Sequence, residues 1–364
     1  MNPPATMRRI ARICARAVNA PLEYPVHTSV GSVDASPLVL IDLHLDDGTV
    51  GHAYVFTYTP LALASVRKMV ESLGQLLIGE ALAPFELDRL LAGRLRLIGR
   101  QGVAMMASAG LDMAAWDALA KVRGVPLAEL LGGRVRALPA YDSHSMDGME
   151  IGLLRARRAV EAGFAAIKVK IGYRELSEDC RIVEAIRNCI GDQVQLMVDY
   201  NQSLSVPEAA RRMQALAAYA PAWVEEPTVQ EDYAGHARLR GTAGLAIQMG
   251  ENWCGPEEMQ RALDVGACDF AMPDVMKIGG VTGWLKAATL AQVRGVPMSS
   301  HIFQEISAHL LAVTPTAHWL ERMDLAAPIL ARPLVFRDGM ACPSDEPGTG
   351  VAWNEDAVSR HAVT

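Results

Sequence analysis

Through the middle of the chain, short apolar runs keep ending in single polar residues. The series is Ser143, Lys168, Asp199, Glu225, Glu251, Asp274, His301 and Glu321, at intervals of 20–31 residues, about the length of one βα unit. Between these runs, residues 152–161, 175–189, 206–218, 256–265 and 281–293 carry helical periodicity. Eight strands, each with a polar residue at its C-terminal end, predict a (β/α)₈-type barrel with its active-site face given in order.

The run Ala165-Ala166-Ile167-Lys168-Val169-Lys170-Ile171 organises the series. Strand side chains alternate faces, so Lys168 and Lys170 point one way while Ile167, Val169 and Ile171 point the other. Lysines on a wet edge strand are the bland reading. The flanking run is too apolar for that, and lysine is seldom buried unless it is paired or functional.

Residues 1–134 read as an α+β domain instead. Leu38–Leu45, the turn Asp46-Asp47-Gly48 and Val50–Val55 predict a β-hairpin, and helical patterns follow over 60–78 and 84–92. The stretch Ala107–Lys121 is a strong helix former with small residues on one side, and Gly132-Gly133 marks the boundary into the barrel. Tyr24–Val33 places Val26, Val30 and Val33 among small residues, and two readings stand, a β-edge of the first domain or a mobile apolar lid. The organisation expected is a cap over 1–134, a barrel over 135–325 and a segment over 326–364 that returns to the cap.

Composition narrows the function. The chain has 364 residues, 51% hydrophobic and 21% charged, with a formal net charge of −7, as suits a well-packed enzyme and not a nucleic-acid binder. An anionic substrate would then need local positive charge. The six cysteines show no C-x-x-C spacing, which suggests a reducing compartment. No apolar run reaches membrane-spanning length, and Arg12 and Arg16 interrupt any signal region after Arg8-Arg9, so the cytoplasm is the expected location.

The spaced residues allow specific chemistry. Asp199, Glu225 and Glu251 end three consecutive strands, and converging carboxylates repel unless a cation neutralises them. All-oxygen ligation favours a hard ion, Mg²⁺ first and Mn²⁺ second. Lys170 can act as a base if the neighbouring Lys168 and a divalent cation disfavour its ammonium form, while Lys168 helps to hold an anion. His301 and Asp274 on adjacent strands can form a dyad. Glu321, if apolar neighbours keep it protonated, can donate to a developing enolate oxygen, and a fourth metal ligand or a surface acid are its other readings. Lys170 on the second strand and His301 on the seventh would face opposite sides of a substrate, which means 1,1-proton transfer at the carbon beside a carboxylate.

At these residues the chain resembles the enolase superfamily, mandelate racemase subgroup, over nearly its whole length. Lys168-Val169-Lys170, Met197–Leu204, Pro273–Trp284 and Ser299–Leu311 carry the likeness. The resemblance implies an α+β cap on a modified TIM barrel, (β/α)₇β, in a homo-oligomer. It implies that Asp199, Glu225 and Glu251 bind the metal, and that Lys170 acts on the (S) enantiomer and His301, with Asp274, on the (R). Ser143 and Asn201 would assist at the substrate carboxylate and the metal or lysine shell. Val26, Val30 and Val33 would form an apolar flap, with Phe56 and Tyr58 beside it. Ile302 and Met323 stand where the subgroup has leucines, which alters the pocket for the side group.

The reading is a metal-dependent racemase of a 2-hydroxy carboxylate. The alternative within the subgroup is an acid-sugar dehydratase, whose polyhydroxy substrate would need polar partners where Val26, Val30, Val33, Ile302 and Met323 offer apolar ones. A barrel that only binds a ligand would leave a gap in the series, and none is present.

Overall fold

The structure, a computed structural model, describes residues 8–242 and 244–363. The first seven residues of the expected cap and the last of the C-terminal segment lie outside the described residues.

Three antiparallel strands open the chain: β1 (Ile10–Thr28), β2 (Gly31–Leu45) and β3 (Val50–Phe56). The β2–β3 hairpin turns at Asp46-Asp47-Gly48, where Gly48 takes φ +88°. Sequence patterning did not mark β1, because its edge position leaves Arg12, Arg16 and alternate neighbours wet. Tyr24–Val33 is neither a lid of irregular loop nor an edge buried on its own domain. It is the far end of the β1–β2 hairpin, with Val26 opposite Val33 and Thr28 opposite Gly31. Backbone pairing carries it out over the second domain, where Ser29 Oγ donates to Tyr200 O at 2.8 Å and Met146 N donates to His27 O at 2.9 Å.

Helices α1 (Pro60–Gln75), α2 (Pro84–Arg94) and α3 (Gly102–Arg123) complete this layer. Small residues let α3 lie almost on the sheet: a Cβ on Gly110 would meet Ile41 Cδ1 at 2.5 Å. A short α4 (Leu127–Leu130) leads to the second domain.

That domain is a parallel barrel. Its strands are β4 (Leu138–Ser143), β5 (Ala166–Lys170), β6 (Gln195–Asp199), β7 (Val224–Glu225), β8 (Ile247–Met249) and β9 (Phe270–Ala271), paired in sequence order, and β10 (Leu320–Arg322) pairs parallel with β4. The seventh position is held by single bridges, Ala271 with Met298, Met298 with Ala317 and Asp274 with His301. Between strands run α5 (Gly148–Glu161), α6 (Leu176–Ile190), α7 (Val206–Leu216), α8 (Tyr233–Thr242), α9 (Pro256–Asp264), α10 (Gly280–Arg294) and α11 (Gln304–Ala312). Patterning missed α8, which has little amphipathic contrast, and α11, which is buried nearly all round.

The chain then adds the hairpin β11 (Val335–Arg337) and β12 (Met340–Cys342) antiparallel to β4. The last stretch, with α12 (Glu355–Arg360), lies on the first layer: Ala362 bridges Val18, and Trp353 Nε1 donates to Asp42 Oδ1 at 2.6 Å. No helix among the described residues is long and apolar enough to cross a membrane.

Candidate active site

Strand register places the polar series. Ser143 pairs with Lys168, Lys170 with Asp199, and Asp199 with Glu225, so neighbouring strands present these side chains at successive levels of one barrel end. Glu251 lies two residues past β8, and Gly250 before it holds φ +136°, where a Cβ would press into the buried Trp253 ring at 2.6 Å. Glycine there is what lets the chain turn Glu251 inward.

Asp199, Glu225 and Glu251 are all buried, with one ligand atom from each lying within 4.8 Å of the others. Lys168 Nζ is 2.5 Å from Glu225 Oε1 and 2.8 Å from Glu321 Oε1, and Lys170 Nζ is 2.5 Å from Asp199 Oδ2. Three carboxylates thus share two ammonium groups and Glu251, which touches neither, adds a fourth negative charge, an imbalance that one divalent cation would close. Glu251 Oε2 is buried, accepts no hydrogen bond among the described residues and lies 3.3 Å from His301 Nε2. An all-oxygen set with a spare carboxylate oxygen fits a hard divalent ion. Glu225 is further fixed by Trp223 Nε1 at 3.2 Å and Gln248 Nε2 at 3.0 Å, both donating to Oε2.

Burial raises the Glu225 carboxyl to about 7, against the pull of Lys168. Burial works against the charge on Lys168, yet Glu225 and Glu321 hold its ammonium well above the usual lysine range. Lys170 behaves likewise through Asp199, so in this arrangement it is a cation. Its ammonium would lose its proton more readily if Asp199 gave up its hold.

Glu321 corrects the expectation of an acid kept protonated by apolar surroundings. Burial favours its proton, but Lys168, His301 and Lys170 outweigh burial and hold the carboxyl down at about 2. Its Oε2 also accepts Ile302 N–H at 2.9 Å, so its partners stabilise the anion.

His301 Nδ1 lies 2.8 Å from Asp274 Oδ2, while Asp274 Oδ1 accepts Met276 N–H and Lys277 N–H at 2.7 and 3.2 Å. These two backbone bonds aim Oδ2 at the imidazole. Burial disfavours imidazolium, but Glu251, Asp274 and Glu321 raise His301 above the usual histidine range.

A cavity of about 390 Å³ opens on this end of the barrel. Its lining brings together Lys170, Asn201, Glu251 and His301, the apolar or aromatic Val26, Val30, Val33, Phe56, Tyr58, Ile302, Met323 and Leu325, and Thr28, Gly31 and Ser32 of the hairpin. Val30, at the hairpin tip, is 68% exposed. Asn201 donates through both its backbone N and Nδ2 to Asp199, at 2.7 and 3.0 Å, and its Oδ1 has no partner among the described residues. Ser143 is not brought to this cavity. It lines a neighbouring one of about 270 Å³, which shares Val26 and Met323, and its buried Oγ has no partner among the described residues.

Sequence reasoning missed Lys277, Asn252 and Gln202, which also line the cavity. It missed as well the buried Glu226, which accepts Asn252 Nδ2 at 2.8 Å. Each lies one to three residues from an assigned residue, and that adjacency was the available signal. Non-glycine residues with left-handed backbone gather here too: Tyr58, Asn201, Gln202, Glu226, Ile302 and Phe303. Such strain persists where the surroundings over-determine a conformation.

A parallel barrel with a carboxylate triad, paired lysines and a His–Asp dyad at its C-terminal end, under an α+β cap, is the arrangement of an enolase-superfamily enzyme. The family described as mandelate racemase / muconate lactonizing enzyme, N-terminal domain, matches residues 10–132, and that described as enolase C-terminal domain-like matches 153–357. The chain belongs to the mandelate racemase / muconate lactonizing enzyme family of this superfamily.

Among solved structures, an enolase from Bradyrhizobium complexed with magnesium and mandelic acid is similar at 46% identity and TM-score 0.96, over 99% of this chain and 100% of that one. A 3,6-anhydro-alpha-L-galactonate cycloisomerase of Streptomyces coelicolor is 31% identical over 90% of this chain and 91% of its own. An L-talarate/galactarate dehydratase of Salmonella typhimurium is 33% identical over 71% of this chain and 66% of its own. Magnesium is the cofactor of the superfamily, and several solved neighbours hold it.

Proposed function

We propose that this enzyme is a magnesium-dependent racemase of 2-hydroxy carboxylates with an apolar, mandelate-like side group. The observation that carries the reading is that Lys170 and His301 line one cavity whose walls are largely apolar. The Bradyrhizobium neighbour with mandelic acid supports the same substrate class.

Asp199, Glu225 and Glu251 would hold the ion, which when bound supplies positive charge against the negative charge that develops on the substrate carboxylate. Lys168, buried against Glu225 and Glu321, contributes positive charge toward that carboxylate. Lys170 Nζ removes or returns the α-proton on one face, and His301 Nε2 does so on the other. One base takes a proton as the other delivers one, so the configuration inverts and nothing else is consumed. Asp274 fixes the proton on Nδ1, leaving Nε2 for the substrate. By resemblance Lys170 serves the (S) enantiomer and His301 the (R).

Dehydration of an acid sugar is the second reading, favoured by the dehydratase relative and by Lys277, Asn252 and Gln202 in the cavity lining. Incubation with Mg²⁺ in deuterated buffer separates the two. Mandelate and other apolar 2-hydroxy acids should exchange the α-proton and racemise. Water loss from aldonic or aldaric acids without racemisation would replace the proposal with the dehydratase.

A further inference from the structure

Lys277 is a cation of the cavity that neither the carboxylate triad nor the two bases employ. Its backbone N–H is anchored on Asp274, and its ammonium lies 4.2 Å over the Tyr58 ring and 2.6 Å from Asn252 Oδ1. Lys168 and Lys170 are each paired with carboxylates, whereas Lys277 forms no ion pair among the described residues. Asn252 is itself fixed, since its Nδ2 donates to Glu226 Oε2 at 2.8 Å and Glu251 Oε1 at 3.4 Å. The Tyr58 face attracts the charge without accepting a full hydrogen bond. An ammonium has three donors, so two remain free on a half-buried cation that lines the cavity.

Depth says which part of a ligand these donors meet. Lys168 is fully buried and Lys170 nearly so, while Lys277 is half-buried. A 2-hydroxy carboxylate with its carboxylate and α-carbon between Lys170 and His301 turns its α-substituent toward the rest of the lining, which includes Lys277, Val30 and Val33. An apolar group alone would leave the two donors without partners at the point where water is displaced, which costs free energy.

We propose that Lys277 is a specificity-determining residue whose ammonium binds an oxygen acceptor, a hydroxyl or better a carboxylate, at the outer end of an otherwise apolar α-substituent. The orientation of the ligand rests on the racemase reading. The favoured class is therefore a 2-hydroxy acid with an aryl group oxygenated away from the α-carbon.

Calorimetry on the Mg²⁺-loaded enzyme tests this with 2-hydroxy-2-phenylacetate and its ring 4-hydroxy and 4-carboxy derivatives, using the wild type, Lys277→Met and Lys277→Arg. Chiral chromatography follows turnover on the same samples. The wild type should bind the 4-carboxy acid about ten-fold more tightly than the parent, and the ratio should fall to about one in Lys277→Met while Lys277→Arg retains most of it. An unchanged ratio in Lys277→Met, with both ligands weakened alike, overturns the proposal and makes Lys277 a support for Asn252. A wild-type preference for the parent, or no binding of any of the three, overturns it as well. A Lys277-dependent ratio without racemisation leaves the assignment of Lys277 standing and sinks the racemase reading instead.

Discussion

His301 and Asp274 meet at 2.8 Å from strand ends that are themselves joined by a parallel bridge, so the backbone fixes the dyad before either side chain chooses a rotamer. Lys170 stands on β5, across the barrel order from that bridge. Two bases held on separate elements should be separable by mutation.

His301→Asn is expected to abolish racemisation yet leave α-proton exchange of one enantiomer, by resemblance the (S), with Lys170→Met showing the opposite handedness. Asp274→Asn should follow the His301 variant, with a loss on the order of 10²–10⁴ in turnover. Proton NMR in D₂O on each enantiomer reads this. Loss of exchange for both enantiomers in one variant that still binds substrate and metal would mean a single base.

Glu321→Gln removes an anion that Lys168 approaches to 2.8 Å and that accepts Ile302 N–H. Turnover should drop by on the order of 10²–10³ with fold retained, because the amide no longer supplies the negative charge that positions Lys168. With the carboxyl held down at about 2, Glu321 acts here as an acceptor for Lys168 and Ile302 N–H. An unaltered kcat would remove Glu321 from the chemistry.

Chelation should stop turnover, and added Mg²⁺ should restore it. Gly250→Ala should do part of the same, because a Cβ placed 2.6 Å from the Trp253 ring must displace Glu251. The dissociation constant for Mg²⁺ is expected to rise by about 10–100-fold, the usual effect of disturbing a ligand's support. Titration calorimetry measures it, and wild-type affinity in the variant would show that Gly250 does not set the position of Glu251.

Away from the site, Tyr54 of β3 donates to Glu305 of α11 at 2.6 Å, tying the cap to the helix that follows His301. Burial first, then Asp324, push the Glu305 carboxyl up to about 7. The folded chain therefore keeps a proton that the unfolded chain releases near pH 4.5, so stability falls as pH rises through that window and the contribution is lost above about 7. Glu305→Gln keeps the acceptor for Tyr54 without the titration. Relative to it, the wild type should lose about 3 kcal/mol between pH 4.5 and 7.5. Parallel denaturation curves for the two proteins across that range would refute the assignment.

Periodicity, and side chains that must alternate along a strand, were enough to give the barrel, its order and the inward pair Lys168 and Lys170. A long-range partner is what they could not supply. β1 is held by pairing with β2, and the Tyr24–Val33 hairpin by Tyr200 and Met146, residues distant in sequence. The placement of the candidate residues at strand ends was legible because those ends recur at a similar interval. Their charge states were not, since each depends on which groups folding sets beside it: Glu321 is anionic because Lys168 lies against it. Lys277 shows the same division. It stands three residues from Asp274, yet only the tertiary structure sets its ammonium against Asn252 Oδ1, from another strand end, with no ion pair among the described residues.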